Sequence, residues 1–142
     1  MPLSPRQIEL VQQTFDQVKP IADAAAGLFY DRLFVIAPQA RALFPDDLTD
    51  QRKKLMQALA FAVGSLRAPE RVLPALREMG ARHVAYGARD EHYPVVGEAL
   101  LWTLERGLGD AFTPEVRDAW AATYGLVAAT MQEGARAAQP AA

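Results

Sequence analysis

Two histidines, one tyrosine and one glutamine are the side chains in this sequence best placed to do chemistry. His83 lies on an apolar helical stripe with Leu76 and Met79, at the spacings of three and four that put residues on one face. A polar ring on such a face is costly unless it finds a partner. Three uses are open to it: a packed residue bonded to a carbonyl, an acid–base group, or a metal ligand. His92 stands beside Asp90 and Glu91 at a loop-to-helix junction, where a solvated residue is the simplest reading. A zinc site built from both histidines and a carboxylate is a further option, although no H-E-x-x-H spacing supports it. Tyr30 follows Ala26 by one turn on a strongly apolar helix, beside Phe29 and Leu33. Gln51 precedes Leu55 by one turn and extends its apolar stripe. From spacing alone, both are boundary residues with their polar tips in water.

The elements that must position these residues are helical. Ser4-Pro5-Arg6-Gln7 reads as a capping box with proline at the first helical position. Ile8, Val11, Phe15 and Val18 then recur at helical spacing. A second helix carries Phe29, Leu33 and Phe34 and stops near Ala37, because Pro38 disfavours helical geometry in the residue before it. Pro38 opens a short third helix through Leu43 and Phe44, followed by a Pro45-Asp46-Asp47 loop. Gln51 begins a stripe of Leu55, Leu59, Ala62 and Leu66, broken at Ala68-Pro69-Glu70. Pro74 starts the helix of His83, and residues 87–90 form a loop. Pro94 opens a helix with Val96, Leu100 and Leu104 that ends at Leu108-Gly109. Thr113-Pro114 caps a last helix carrying Val116, Trp120, Thr123, Val127 and Met131. No hairpin signal separates alternating segments. The expectation is an all-α chain of about seven helices in one domain over residues 1–142, with a frayed tail from about residue 135 that includes Pro140.

Composition narrows the function. The absence of cysteine excludes disulfides, thiolate zinc sites, iron–sulfur clusters and thioether-attached haem. Fifteen Lys and Arg against seventeen Asp and Glu leave a formal net charge of −2, without the basic surplus of a nucleic-acid binder. No apolar run approaches the roughly 20 residues of a membrane span. The N-terminal residues carry no export signal, so the expected location is cytoplasmic.

Taken jointly, the residues point further. Leu28-Phe29-Tyr30-Asp31-Arg32-Leu33-Phe34, Leu43-Phe44, Gln51-Arg52-Lys53-Lys54-Leu55 and Arg82-His83 resemble the single-domain bacterial haemoglobins and the globin domain of flavohaemoglobins. His92-Tyr93-Pro94-Val95-Val96-Gly97, Ala119-Trp120 and Tyr124-Gly125 extend the likeness, and 32 residues separate Gln51 from His83. The resemblance implies a globin fold around non-covalent haem b. It makes His83 the proximal iron ligand, Tyr30 and Gln51 the distal pair, Phe44 the wedge against the haem and Leu55 its apolar distal neighbour. It makes Tyr93 the brace of the proximal histidine and places Val96 among the haem contacts. Lys54 and Arg82 flank that pocket, as solvated charges or as partners of the haem propionates. The family's last-helix glutamate falls at Ala137 in an ungapped alignment, and Glu133, one turn earlier, is its potential substitute. The implied ligands are O2, NO and CO. The implied functions are nitric oxide dioxygenation with a separate reductase, oxygen storage without sustained turnover, or gas sensing. A cofactor-free helical scaffold is the plain alternative. The expected state is a monomer or weak homodimer, without nucleic-acid or membrane partners.

Overall fold

A computed structural model describes residues 3–138. Six α-helices carry it: α1 Pro5–Val18, α2 Ala22–Ile36, α3 Thr49–Gly64, α4 Pro69–Ala85, α5 His92–Leu108 and α6 Pro114–Ala138. There is no strand among the described residues, and no helix is long and apolar enough to cross a membrane. The expected short third helix exists as a 3-10 helix over Pro38–Leu43, which brings the helix count close to seven.

Local chemistry accounts for most boundaries. Gln7 N–H donates to Ser4 Oγ at 3.1 Å and Ser4 N–H donates to Gln7 Oε1 at 3.0 Å, a reciprocal cap on α1. Ala37, at φ −141° and ψ 72°, ends α2 in the non-helical geometry that Pro38 demands. Asp47 Oδ1 accepts from the Thr49 amide at 3.0 Å and hydroxyl at 2.7 Å, so α3 starts two residues before Gln51. Thr113 Oγ1 accepts from the Val116 amide at 3.2 Å at the start of α6.

Three boundaries differ from the sequence reading. The helix of His83 begins at Pro69, and Pro74 lies inside it. Pro69 occupies the first turn, where its missing N–H is harmless, and Pro74 removes only one bond shortly after. Likewise α5 begins at His92, with Pro94 inside a first turn whose amides have no helical partner. At the far end, α6 runs to Ala138, past the expected fraying point near residue 135, and Gly134 and Ala135 are buried just at that point. Pro140 lies outside the described residues.

The main core joins α1, α2, α5 and α6 around Trp120, which is 1% exposed. Its indole Nε1–H donates to Thr14 Oγ1 at 2.9 Å, and that hydroxyl donates to Leu10 O at 2.7 Å. Left unmet, a buried donor of this kind costs about 1–3 kcal/mol. A smaller core of Val72, Leu76 and Met131 joins α4 to α6. Helix α4 packs chiefly on α6 and only slightly on α3. The helices carrying Gln51 and His83 are therefore held apart.

Candidate functional site

On α4, the ring of His83 is half-buried, and its Nδ1 lies 2.7 Å from Met79 O, one turn back. A carbonyl oxygen only accepts, so Nδ1 carries a proton, and in the neutral imidazole Nε2 is then the nitrogen with an unshared electron pair. Tyr86 meets the imidazole edge-on at 5.5 Å between centroids. Met79 also lines the small core, together with Phe61, Leu73, Val127 and Tyr93.

Tyr93, the second residue of α5, buries its hydroxyl without a partner among the described residues. Burial raises its pKa above the ordinary phenol value, and the charge of Asp90 adds to the rise. The backbone of Tyr93 is tied down: Tyr124 Oη–H donates to its carbonyl at 2.6 Å. Gly97 makes this possible, since a Cβ there would stand 2.7 Å from the Tyr124 ring. Burial also holds the Tyr124 phenol far above its usual pKa, so it remains a donor.

On the other side, Tyr30 is 3% exposed, not a boundary residue with a wet tip. Its ring sits among Phe29, Phe34 and Phe44, at 5.0, 6.0 and 5.5 Å between centroids. Burial raises its phenol pKa, partly offset by hydrogen bonding with the Gln51 side chain. Gln51 is half-buried in the first turn of α3, with Leu55 one turn on and packed on the main core. Phe44 is set by its corner: the Arg41 guanidinium donates to the carbonyls of Phe44, Pro45 and Asp46 at 3.2, 2.9 and 3.1 Å. Leu55, Met56 and Leu59 also line a cavity of about 20 Å³ with Phe29 and Leu100.

The structure thus gathers Tyr30, Gln51, Phe44 and Leu55 where α2 meets α3, and Met79, His83 and Tyr93 around α4 and the start of α5. Val96 is half-buried against the main core, one turn after Tyr93. Lys54 and Arg82 are exposed and have no ion-pair partner among the described residues. His92 Nδ1 accepts from the Arg89 amide at 3.0 Å and closes the loop before α5. Among the described residues no three of His, Asp and Glu converge as a metal site would require.

A family model described as Globin matches residues 27–131, which take in both groups of residues. This chain is a globin. It is 32% identical to a flavohemoprotein of Bacillus subtilis and 38% identical to one of Bordetella parapertussis, each over 89% of this chain. A third, from Rhizobium meliloti, is 36% identical over 84% of the chain. The globin spans about a third (32%) of the length of these relatives. In fold it matches a hexacoordinated heme protein from an anhydrobiotic tardigrade, with a TM-score of 0.87, 17% identity and coverage of 95% and 96% of the two chains.

Two readings on the last helix of this globin need correction. Ala137 is exposed and does not face the small core; the buried position one turn after Met131 is Ala135, also without a carboxylate. The Glu133 side chain is 55% exposed and accepts from Arg77 Nε at 3.3 Å, so it does not stand in on the inner face. Sequence reasoning also missed Met79 O, Arg41 and the Tyr124–Tyr93 bond. The interval of four between Met79 and His83 was a usable signal for the first. The Arg41 bonds span only three to five residues but match no recognised turn motif, and the Tyr124–Tyr93 bond depends on tertiary contact and leaves no local trace.

Proposed function

We propose that this globin holds haem b non-covalently through His83 and binds small gases against Tyr30 and Gln51. The observation that carries the reading is one juxtaposition. An imidazole with a free Nε2 electron pair and a buried phenol beside an amide sit on helices that scarcely pack together. The chemistry of the donors fits the group. Neutral imidazole is a common axial ligand of haem iron, and the Nδ1–H bond to Met79 O fixes the tautomer that presents Nε2. The absence of cysteine excludes thioether attachment. When bound, haem supplies a redox-active iron at which O2, NO or CO binds.

The chain's own residues do the rest. The Tyr30 phenol keeps its proton at neutral pH because burial disfavours the phenolate, so it donates to a ligand oxygen. Gln51 Nε2–H supplies a second donor. Phe29, Phe34, Phe44 and Leu55 exclude water and strengthen both bonds. Tyr93 is a spare buried donor that braces the side of His83, and Phe44 and Val96 supply apolar contact. Lys54 and Arg82 are available to the haem carboxylates. The activity proposed is nitric oxide dioxygenation, in which NO and O2 combine with one electron to give nitrate. The electron comes from a reductase, the partner this reading requires.

One observation favours a second reading, oxygen binding without sustained turnover. The buried residues of α6, from Val116 to Ala135, include no carboxylate that could polarise the Tyr93–His83 side. Two measurements decide. The purified protein should show a Soret band that His83→Ala loses or shifts, and a colourless protein that takes up no haemin would end the reading. With NADH and an added reductase, continued NO consumption supports dioxygenation. A single stoichiometric turnover that stays slow under reduction supports binding alone.

A further inference from the structure

Helices α4 and α6 meet main chain against main chain at two glycines that answer each other. A Cβ on Gly80 would overlap the carbonyl oxygen of Met131, and one on Gly134 would overlap the carbonyl oxygen of Arg77. Backbone carbonyls cannot swing aside as a flexible side chain could, and both glycines are buried. Gly64 and Gly125, also in helices, have open space at the same position. Glycine is a poor helix former, so its use at two facing sites within helices calls for a packing reason.

The crossing falls on the peptide that orients His83. The Gly80 amide shares a rigid plane with the Met79 carbonyl, which accepts the His83 Nδ1–H bond at 2.7 Å. Among the described residues nothing else holds the ring as closely. Tyr86 touches its edge but is 63% exposed, and α3 gives α4 little support. We propose that Gly80 and Gly134 are positioning residues, whose reciprocal crossing clamps the Met79–Gly80 peptide against α6 and so fixes the orientation of the His83 imidazole. The proposal rests on the reading of His83 as the iron ligand.

The test uses haem-loaded protein and the iron–histidine stretching band of the ferrous form. Gly80→Ala and Gly134→Ala should retain haem but shift and broaden the band, whereas Gly125→Ala should leave it unchanged. A folded Gly80→Ala variant with an unmoved band would overturn the proposal. The path of the effect is checked in His83→Gly protein supplied with imidazole, where the ligand is cut from the helix. There Gly80→Ala should no longer move the band, and a persisting shift would show that the glycine acts elsewhere. If His83→Gly keeps its histidine band without imidazole, the ligand assignment itself is wrong, an outcome distinct from an unmoved band in Gly80→Ala. Should neither glycine variant fold, proton exchange in the unsubstituted cyanide complex decides. The His83 Nδ1 proton should exchange no faster than the Gly80 and Ala135 amides, and faster exchange would refute the clamp.

Discussion

Replacing Tyr30 with Phe removes one hydroxyl from the proposed distal group and leaves the aromatic packing in place. The ring is 3% exposed and lies 5.0–6.0 Å from Phe29, Phe34 and Phe44, so Phe fits the same space without opening a cavity. The cost to folding is therefore small, and the effect falls on the bound gas. A hydrogen bond from a buried phenol to a ligand oxygen bearing partial negative charge is worth about 1.5–3 kcal/mol. At about 1.4 kcal/mol per decade, the oxygen dissociation rate should rise by about 10- to 150-fold. Stopped-flow displacement of oxygen by carbon monoxide measures that rate. The same measurement on Gln51→Leu and on the double variant gives the coupling between the donors, which should be non-zero because the two side chains interact. A dissociation rate within threefold of the unsubstituted value, in a protein with a normal Soret band, would refute the distal assignment of Tyr30.

Three further outcomes follow from the same geometry. Gly97→Ala forces a methyl to within 2.7 Å of the Tyr124 ring and should destabilise the fold by about 1–3 kcal/mol in urea titration; Gly125→Ala, with open space around it, is the control expected to gain stability. Glu133→Ala should change stability by less than about 0.5 kcal/mol and leave the haem spectrum untouched, since its carboxylate is exposed and paired only with Arg77; an altered spectrum would place Glu133 in the site after all. Burial raises the folded-state pKa of Tyr124, so the unfolded chain loses that proton first and stability falls as pH rises above about 10, by about 1.4 kcal/mol per pH unit for this residue. Tyr124→Phe should be less stable at pH 8 and show a shallower loss at alkaline pH; equal slopes would remove the linkage.

What was legible in the sequence was what short-range chemistry decides. The Ser4–Gln7 capping box, the stop at Ala37 and the Thr113 cap each depend on residues within four positions. Pro69 and Pro74 show the limit, because each is a plausible helix start and only packing of the preceding turn selects Pro69. The candidate site was legible in a different way. Periodicity read Tyr30 as a boundary residue, and the contrary expectation came from a resemblance involving Gln51, Phe44 and His83 together. Its burial arises because Pro38 turns the chain and Arg41 holds the corner that brings Phe44 over the phenol ring. No local pattern encodes that return. The error at Ala137 has a similar cause, since the face that a residue presents at the end of a 25-residue helix depends on where α4 crosses it.

That crossing also bears on what kind of globin this is. A hydrogen bond to an ionised acceptor is roughly twice as strong as one to a neutral acceptor. An imidazole whose N–H meets a carboxylate, directly or through a phenol, is therefore more electron-rich than one whose N–H meets an amide carbonyl. In this chain the imidazole meets Met79 O, a neutral acceptor. The Tyr93 hydroxyl has no partner among the described residues, and Asp90, the charge that acts on it, is exposed and engaged by Gln132 at 3.3 Å. A long acidic side chain at Ala135 would have to be buried beside Gly134, where the two main chains already touch. Close packing of α4 on α6 and a weakly polarised His83, the proposed iron ligand, are thus two sides of one choice. The consequence is measurable in the ferric–ferrous potential. A Met79 carbonyl acting alone leaves the ferrous state favoured, and Glu133→Gln should not move the potential. A marked rise in potential when Asp90→Asn removes the exposed charge would contradict this account, because it would show that an anion polarises the His83 side through Tyr93.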